Sequence, residues 1–369
     1  MFTDSKPHYL ILDGLRGVAA LVVILFHVFE CFDWSPAPKG YLAVDFFFVL
    51  SGFVIGYAYD NRWGRDLTTG GFFRRRLIRL HPMVVAGAVV GAVCFMLQGA
   101  VQWDGTSVAT SMVMLALLAG MFLVPLSAGA AADVRGNGEM FPLNGPSWSL
   151  FFEYVGNVLY ALLLRRLPTR WLGALAVVTG GMLVHVAWCN GGLVAGWTMA
   201  DGGFWGGLVR MLFPYTVGMW MARCFRPMKL RGTFWWCGLC VVVVACLPLL
   251  LGEQTGVAGV AYDLLCVMVV FPLLVWTGAS ELHVGPGTRR VSRFLGELSY
   301  PLYAIHYPFM YLFYAKIGFD GVLVPIARLS DVWVTALLLP FFCILTAYIF
   351  LRFYDRPVRR WLSGDKPSA

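Results

Sequence analysis

Long apolar segments recur along the whole chain, and they constrain the fold more than any other feature of the sequence. A helix needs roughly 20 apolar residues to cross a bilayer. Eleven segments approach this length, at about 15–32, 42–59, 80–97, 108–126, 148–164, 171–189, 204–222, 233–251, 259–277, 296–314 and 333–351. Only 13% of the 369 residues are charged, against about 25% in soluble proteins. The sequence predicts an all-α, polytopic transmembrane helical bundle and excludes a soluble enzyme with one anchor, a coiled coil and a disordered protein.

The positive charges predict the direction in which the segments cross, because cytoplasmic loops retain Lys and Arg. Lys6 and Arg16 place the N-terminus in the cytoplasm. Loops of few charges carry Asp33, Asp201 and Glu253 and are expected outside. The other basic groups lie at 62–79, 165–170, 223–231, 289–293 and 352–360.

All these groups fit one topology with ten spans, but eleven spans would place the 165–170 arginines outside. We therefore expect one segment between 80 and 147 to be re-entrant or interfacial, and 108–126 is the first candidate. The polar connection 127–147 is expected to be extracytoplasmic, and both termini cytoplasmic.

The remaining composition argues against other classes of protein. The net charge of +8 lies in short groups between apolar segments, so it does not indicate nucleic-acid binding. Most of the nine cysteines lie in apolar runs, and Cys237 and Cys240 form a C-x-x-C without a second pair or nearby His; we expect no metal site. The first apolar segment has no signal-peptide cleavage site and is expected to be retained. Without repeats or a linker, residues 1–369 are expected to form one domain.

Ionisable residues inside spans are costly, which makes them functional candidates. Arg16 and His27 share one helix face, ~16.5 Å apart along the axis, so His27 lies in the outer half. Asp45, at the outer start of the next span, is at a comparable depth and could fix the tautomer of His27. Alternatively, Arg16 contacts headgroups and His27 bonds a neighbouring helix. Ser51 is better explained by packing with the small residues around it than as a nucleophile.

An arginine cluster follows the second segment, in FFRRRLIRLHP. It contains Arg74, Arg75, Arg76 and Arg79, and His81 is close enough to join it. Guanidinium groups match phosphate oxygens, so the cluster predicts a site for a polyanionic ligand or cofactor. Binding of anionic lipid is the alternative.

Two further spans carry ionisable residues. Glu153 lies about one and a half turns inside the segment that begins after NGPSW. His306 lies ~15 Å deep in a later span, with tyrosines at helical spacing around it: Tyr300, Tyr303, Tyr307 and Tyr311. A structural hydrogen bond is the alternative role for both Glu153 and His306.

These residues, in this order, resemble the integral-membrane type 3 acyltransferase family. The resemblance rests on five ordered blocks between residues 13 and 308: Arg16 and His27 with ten residues between them, DFFFVLSGF at 45–53, Arg76 and Arg79 as R-x-x-R, PSWSLFFE at 146–153, and LSYPLYAIHYP at 298–308. It covers essentially the whole chain.

The resemblance implies transfer of an acyl group, commonly acetyl, from cytosolic acyl-CoA to a hydroxyl of a saccharide or lipid-linked glycan. Acyl-CoA is then a co-substrate, and no tightly bound cofactor is expected. His27 is implied as the base, Arg16 as its partner in the motif, and Arg76 and Arg79 as contacts of the CoA phosphates. Glu153 and Asp45 fall in recurrent blocks. We expect a stand-alone membrane domain without the SGNH-type domain of some members, in the inner membrane of a bacterium and surrounded by its lipids.

The chemistry agrees with this layout, because an acceptor hydroxyl needs a base near neutral pH and a neutral imidazole is suited to the task. We expect direct transfer to an acceptor that enters from the outer side. A covalent acyl-His or acyl-Ser relay is the second mechanism, and His306 with Tyr303 is a second candidate site. From the residues alone, a proton-coupled secondary transporter and a non-catalytic lipid- or glycan-binding protein remain alternatives.

Overall fold

The computed structural model describes residues 9–32, 34–251, 256–318 and 329–364. Lys6, Asp33 and Glu253, which entered the topology prediction, lie outside the described residues. The described helices are α1 (Leu10–Phe29), α2 (Ala43–Tyr59), α3 (Thr69–Leu97), α4 (Thr110–Met121), α5 (Ser147–Leu162), α6 (Thr169–Asn190), α7 (Gly203–Cys224), α8 (Thr233–Leu251), α9 (Gly256–Leu265), α10 (Phe271–Ser280), α11 (Pro286–Ile305), α12 (Tyr307–Ile317), α13 (Leu329–Phe350) and α14 (Arg356–Ser363).

Seven helical stretches in the described part of the chain are long and apolar enough to cross a membrane. They are Leu10–Phe29, Gly40–Tyr59, Thr69–Leu97, Ser147–Arg166, Thr169–Asn190, Gly256–Ser280 and Ser330–Ser363. The prediction of an all-α polytopic bundle is confirmed. The number of ten spans and their direction stay predictions.

Helix α4 corresponds to the segment that we expected not to cross. Its 12 residues span ~18 Å at 1.5 Å per residue, which is less than the ~30 Å hydrocarbon core of a bilayer. The length of α4 therefore agrees with a re-entrant or interfacial position for 108–126.

Glycines allow the closest helix contacts in the bundle, those of α2 with α7 and of α1 with α11. A Cβ atom at Gly52 would lie 2.0 Å from the carbonyl oxygen of Tyr215, and one at Gly218 would lie 2.3 Å from that of Val49. A Cβ at Gly17 would lie 2.5 Å from Leu295. Any larger side chain would push these helices apart, as the small-residue face of the second segment predicted.

The helix that carries His306 is interrupted at that residue, where α11 ends and α12 begins. Pro308 has no N–H to donate to the carbonyl of Ala304, four residues earlier. The side chain of Asn144 donates to that carbonyl instead, at 2.8 Å. The break is thus satisfied by a residue of the connection between α4 and α5, and it fixes the backbone on both sides of His306.

Candidate active site

A cavity of about 750 Å³ runs between α1, α2, α3 and α5 and along most of α11. Arg289 and Arg293 line one end, and Ser149, Tyr303 and Phe47 line the other. Arg289 and Tyr303 lie fourteen residues apart on α11, which corresponds to ~21 Å along the helix. The cavity is therefore long, with charge at one end and aromatic and hydroxyl groups at the other.

The arginine cluster divides between the cavity and the surface. Arg79 is exposed to the cavity, and within the described residues it has no hydrogen-bond or ion-pair partner. Arg76 also lines the cavity but is buried. Arg74 and Arg75 are exposed outside the cavity lining, and Arg74 donates to the carbonyl of Leu362 at 3.3 Å. Only half of the predicted cluster can thus meet a ligand inside the cavity.

Three more arginines line the charged end of the cavity. From the sequence they were interpreted only as cytoplasmic charges that set the direction of the spans. Arg289 and Arg293 come from α11 and Arg359 from α14. The side chain of Arg359 is paired with Asp355, whereas Arg293 is exposed and has no partner among the described residues. Free guanidinium groups at this end therefore remain available to an anionic ligand.

Arg16 connects α1 to α11 and faces the same cavity. Its Nε donates to Ser299 Oγ at 2.8 Å and its Nη2 to the carbonyl of Gly296 at 3.1 Å, while Asp13 lies 3.2 Å from Nη2. Since ~16.5 Å of helix separates Arg16 from His27, Arg16 lines the cavity and makes no contact with the imidazole.

Glu153 joins Arg76 in the wall of the cavity. Its Oε1 accepts from Arg76 Nη2 at 2.6 Å and from Ser51 Oγ at 3.2 Å. The sequence placed Glu153 in the outer half and the arginines at the inner edge, but the ion pair brings both to one level. Arg76 reaches Glu153 because Arg76 lies about two helical turns after the start of α3.

His27 has a carboxylate partner on its own helix face. Its Nδ1 lies 3.0 Å from Oε1 of Glu30. The hydroxyl of Tyr314 lies 2.7 Å from the same oxygen and also contacts the carbonyl oxygen of His27, so one proton is shared between two acceptors. An ionised carboxylate only accepts hydrogen bonds, so Nδ1 of His27 carries the proton and Nε2 is left as the basic atom. The sequence interpretation missed Glu30, although the His-x-x-Glu spacing places both side chains on one side of a helix.

Asp45 does not partner His27, and that expectation is corrected. Its carboxylate is fully buried and accepts from Arg210 Nη2 at 2.5 Å and from Arg210 Nε at 3.1 Å. Arg210 also donates to the carbonyl of Ala195 at 2.7 Å. The ion pair therefore connects α2 to α7. Burying either charge without the other would cost about 3–5 kcal/mol.

His306 lies beside His27, with 5.5 Å between the ring centroids. Its Nδ1 lies 2.9 Å from the carbonyl oxygen of Tyr303 and 3.1 Å from that of Leu302, so Nδ1 donates. Its Nε2 is buried without a hydrogen-bond partner among the described residues. His81 takes another position, with Nδ1 3.3 Å from the hydroxyl of Tyr154.

Tyr303 stands between the cavity and the two histidines. Its ring lies 5.8 Å from the ring of His306 and packs edge-on against Phe47 at 5.5 Å. His27 and Glu30 do not line the cavity, yet their side chains are 17% and 22% exposed. The exposed parts of His27 and Glu30 thus lie outside the cavity lining.

The described residues contain no group of three or more His, Cys, Asp or Glu side chains arranged to hold a metal ion.

Comparison with known proteins decides the family. Residues 9–354 match the acyltransferase 3 family, described as an acyltransferase domain. The chain belongs to this family. The resemblance seen in the sequence is confirmed, and the protein is a membrane-embedded acyltransferase. No solved structure matches it.

Three relatives show how far the similarity extends. This acyltransferase is 37% identical over 190 residues to Protein 2 in the picA locus of Rhizobium radiobacter, covering 49% of the chain and 92% of the relative. It is 28% identical over 331 residues to acyltransferase MdmB of Streptomyces mycarofaciens, covering 80% and 77%. It is 38% identical over 88 residues to peptidoglycan O-acetyltransferase OatA of Listeria monocytogenes, covering 23% of the chain and 14% of OatA.

Proposed function

We propose that this acyltransferase transfers an acyl group, commonly acetyl, from cytosolic acyl-CoA to a hydroxyl of a saccharide or lipid-linked glycan on the other side of the membrane. The observation that carries the proposal is the cavity, which begins among arginines and ends beside Tyr303, next to the histidine pair. The name of OatA as a peptidoglycan O-acetyltransferase supports a hydroxyl acceptor.

The charged end of the cavity is suited to the nucleotide of CoA. Its phosphates require guanidinium partners that are not already neutralised, and Arg79 and Arg293 meet this condition. The ~21 Å between Arg289 and Tyr303 along α11 gives the extended pantetheine arm a path to the other end. The arginine-lined end then faces the cytoplasm, as do both termini, and the protein resides in a bacterial inner membrane.

His27 acts as the general base on the acceptor. Its Nε2 removes the proton of the attacking hydroxyl while the oxygen forms a bond to the thioester carbon. Glu30 stabilises the imidazolium that forms, as the carboxylate does in a Ser-His-Asp triad. The C–S bond then breaks, and the CoA thiolate leaves into the cavity and takes up the proton. The second route is a covalent relay, in which an acylated His or Ser side chain is attacked by the acceptor in a later step.

Thiol release from acetyl-CoA by the purified protein, with and without cell-envelope glycans, tests the proposal. We expect release that depends on an added glycan and disappears in His27→Ala. His185→Ala is the matched control, because His185 lies on α6 beside Cys189 and outside the cavity lining; it should keep the activity. Equal release by wild type and His27→Ala would refute the role of His27. Uptake of a substrate without acyl-CoA would instead support the transporter alternative.

A further inference from the structure

The end of the cavity opposite Arg289 and Arg293 contains a pair of hydroxyl groups, those of Ser149 and Tyr303. Ser149 Oγ lies 2.6 Å from the hydroxyl oxygen of Tyr303, and both residues are buried. Ser149 Oγ donates its own proton to the carbonyl of Pro146 at 3.0 Å. The Tyr303 hydroxyl lies 3.4 Å from the same carbonyl oxygen, so Ser149 is the closer donor to it. Because Ser149 has only one hydroxyl proton, we assign Tyr303 as the donor in the pair.

We propose that the Tyr303 hydroxyl is the hydrogen-bond donor that stabilises the oxyanion formed when the acceptor attacks the acyl-CoA thioester. This inference rests on the proposed function. In that step the acceptor oxygen bonds to the carbonyl carbon, the C=O electron pair moves onto the oxygen, and His27 takes the proton. Tyr303 keeps its own proton and donates a hydrogen bond to the oxyanion until the C–S bond breaks.

Among the other hydroxyl groups that line the cavity, that of Tyr9 bonds Tyr57 just before α1, eighteen residues or ~27 Å from His27 along the helix. Three more are held by stronger acceptors. Ser51 donates to the Glu153 carboxylate, Ser299 to the carbonyl of Gly296, and Tyr300 to the carbonyl of Leu80. Tyr303 donates to a neutral hydroxyl group. Because an oxyanion attracts a donor more strongly than a neutral oxygen does, Tyr303 is the hydroxyl that can most easily redirect its bond to the substrate.

The surroundings of Tyr303 hold its hydroxyl in place before the reaction. Phe47 packs edge-on against the ring, and the backbone carbonyl of Tyr303 is fixed by the Nδ1–H of His306. A donor that is already oriented, in a site with little water, needs no rearrangement when charge develops and is therefore effective. The position also lies on the path between the cavity and the histidine pair, where the thioester carbon has to arrive.

Tyr303→Phe tests the proposal, since it removes the donor and keeps the ring. We expect kcat with acetyl-CoA to fall about 100- to 1,000-fold, the range seen when one oxyanion donor is lost, with unchanged KM and unchanged Kd for CoA. The matched control is Tyr262→Phe, because the hydroxyl of Tyr262 donates to the carbonyl of Val244 away from the cavity. Its kcat should stay within twofold of wild type.

A second substrate separates this role from a structural one. In dithioacetyl-CoA the carbonyl oxygen is replaced by sulfur, a weak hydrogen-bond acceptor, so wild type should prefer acetyl-CoA and Tyr303→Phe should lose most of that preference. A variant that keeps kcat within threefold, or that loses kcat with the preference intact, would overturn the proposal. If wild type itself transfers no acyl group from acetyl-CoA, it is the proposed function that fails.

Discussion

Nδ1 of His27 lies 3.0 Å from Oε1 of Glu30, and the Tyr314 hydroxyl contacts both that carboxylate oxygen and the His27 carbonyl. The carboxylate is therefore held from one side while it holds the imidazole from the other. Such an arrangement fixes one tautomer and leaves Nε2 free to accept a proton. Neither Arg16 nor Asp45, the two partners that the sequence offered, takes this position.

Replacement of Glu30 by Gln should lower kcat strongly without abolishing binding of acyl-CoA. The amide cannot stabilise the imidazolium and allows the wrong tautomer, a change that costs about 10,000-fold in a Ser-His-Asp enzyme; we expect at least 100-fold here. Glycan-dependent thiol release measures the effect. Asp66→Asn, in an exposed pair with Arg62, is the control and should match wild type. A Glu30→Gln enzyme within threefold of wild type would remove Glu30 from the mechanism.

Two arginines on the same helix should respond differently to substitution by Ala. Arg79 faces the cavity and has no partner in the described part of the chain, whereas Arg75 is exposed outside the cavity. A hydrogen bond to a charged group contributes about 1.5–3 kcal/mol, so Arg79→Ala should raise the Kd for CoA about 10- to 100-fold. Titration calorimetry in detergent measures this. Arg75→Ala should leave the Kd unchanged, and an equal loss in both variants would indicate a general charge effect instead of a phosphate contact.

The buried pair of Asp45 and Arg210 should matter for stability. Asp45→Asn leaves the Arg210 charge buried without its counter-charge, which typically costs about 3–5 kcal/mol of unfolding free energy. The double variant Asp45→Asn/Arg210→Met removes both charges and should recover most of the loss. Thermal unfolding of the purified variants checks this. A double variant less stable than Asp45→Asn would show that Arg210 contributes chiefly through its bond to Ala195 or its position over Trp148.

Glu139, in the connection between α4 and α5, should make stability depend on pH. Burial raises the pKa of its carboxyl group above the ordinary value, although the hydrogen bond from Tyr311 and the nearby Arg135 act in the opposite direction. The folded protein then keeps a proton that the unfolded chain has already released, so stability falls as pH rises from the ordinary to the raised pKa.

Glu139→Gln removes this titration. Between about pH 5 and pH 8 the melting temperature of the variant should decline less than that of wild type. The matched control is Asp104→Asn, in an exposed loop. Its melting temperature should decline over this pH range as that of wild type does. Parallel curves for Glu139→Gln and wild type would contradict the prediction.

The sequence predicted the all-α polytopic bundle and the ionisable residues inside it, because apolar length and the cost of buried charge are local properties. Contacts within one helix can also be predicted from residue spacing, and the three-residue spacing of His27 and Glu30 would have predicted theirs. Contacts between residues on helices far apart in the sequence could not be predicted from it. Asp45 and Arg210 are 165 residues apart, and their contact depends on how α2 packs against α7. For the same reason the sequence did not predict that three more arginines line the cavity, where the packing of α11 and α14 places them: Arg289, Arg293 and Arg359.

The bond from Asn144 to the carbonyl of Ala304 has a consequence for engineering. The polar connection before α5 is expected on the outer side, where the proposed acceptor enters, so its residues would be exchanged first if a different acceptor were wanted. Yet Asn144, which belongs to this connection, donates the hydrogen bond that the last turn of α11 lacks, just before His306. A grafted loop without Asn144 would disturb His306 through the backbone even if it never touched the acceptor, so a lost activity in such a chimera would be mistaken for a change of specificity. Chimeras of this enzyme should therefore retain Asn144.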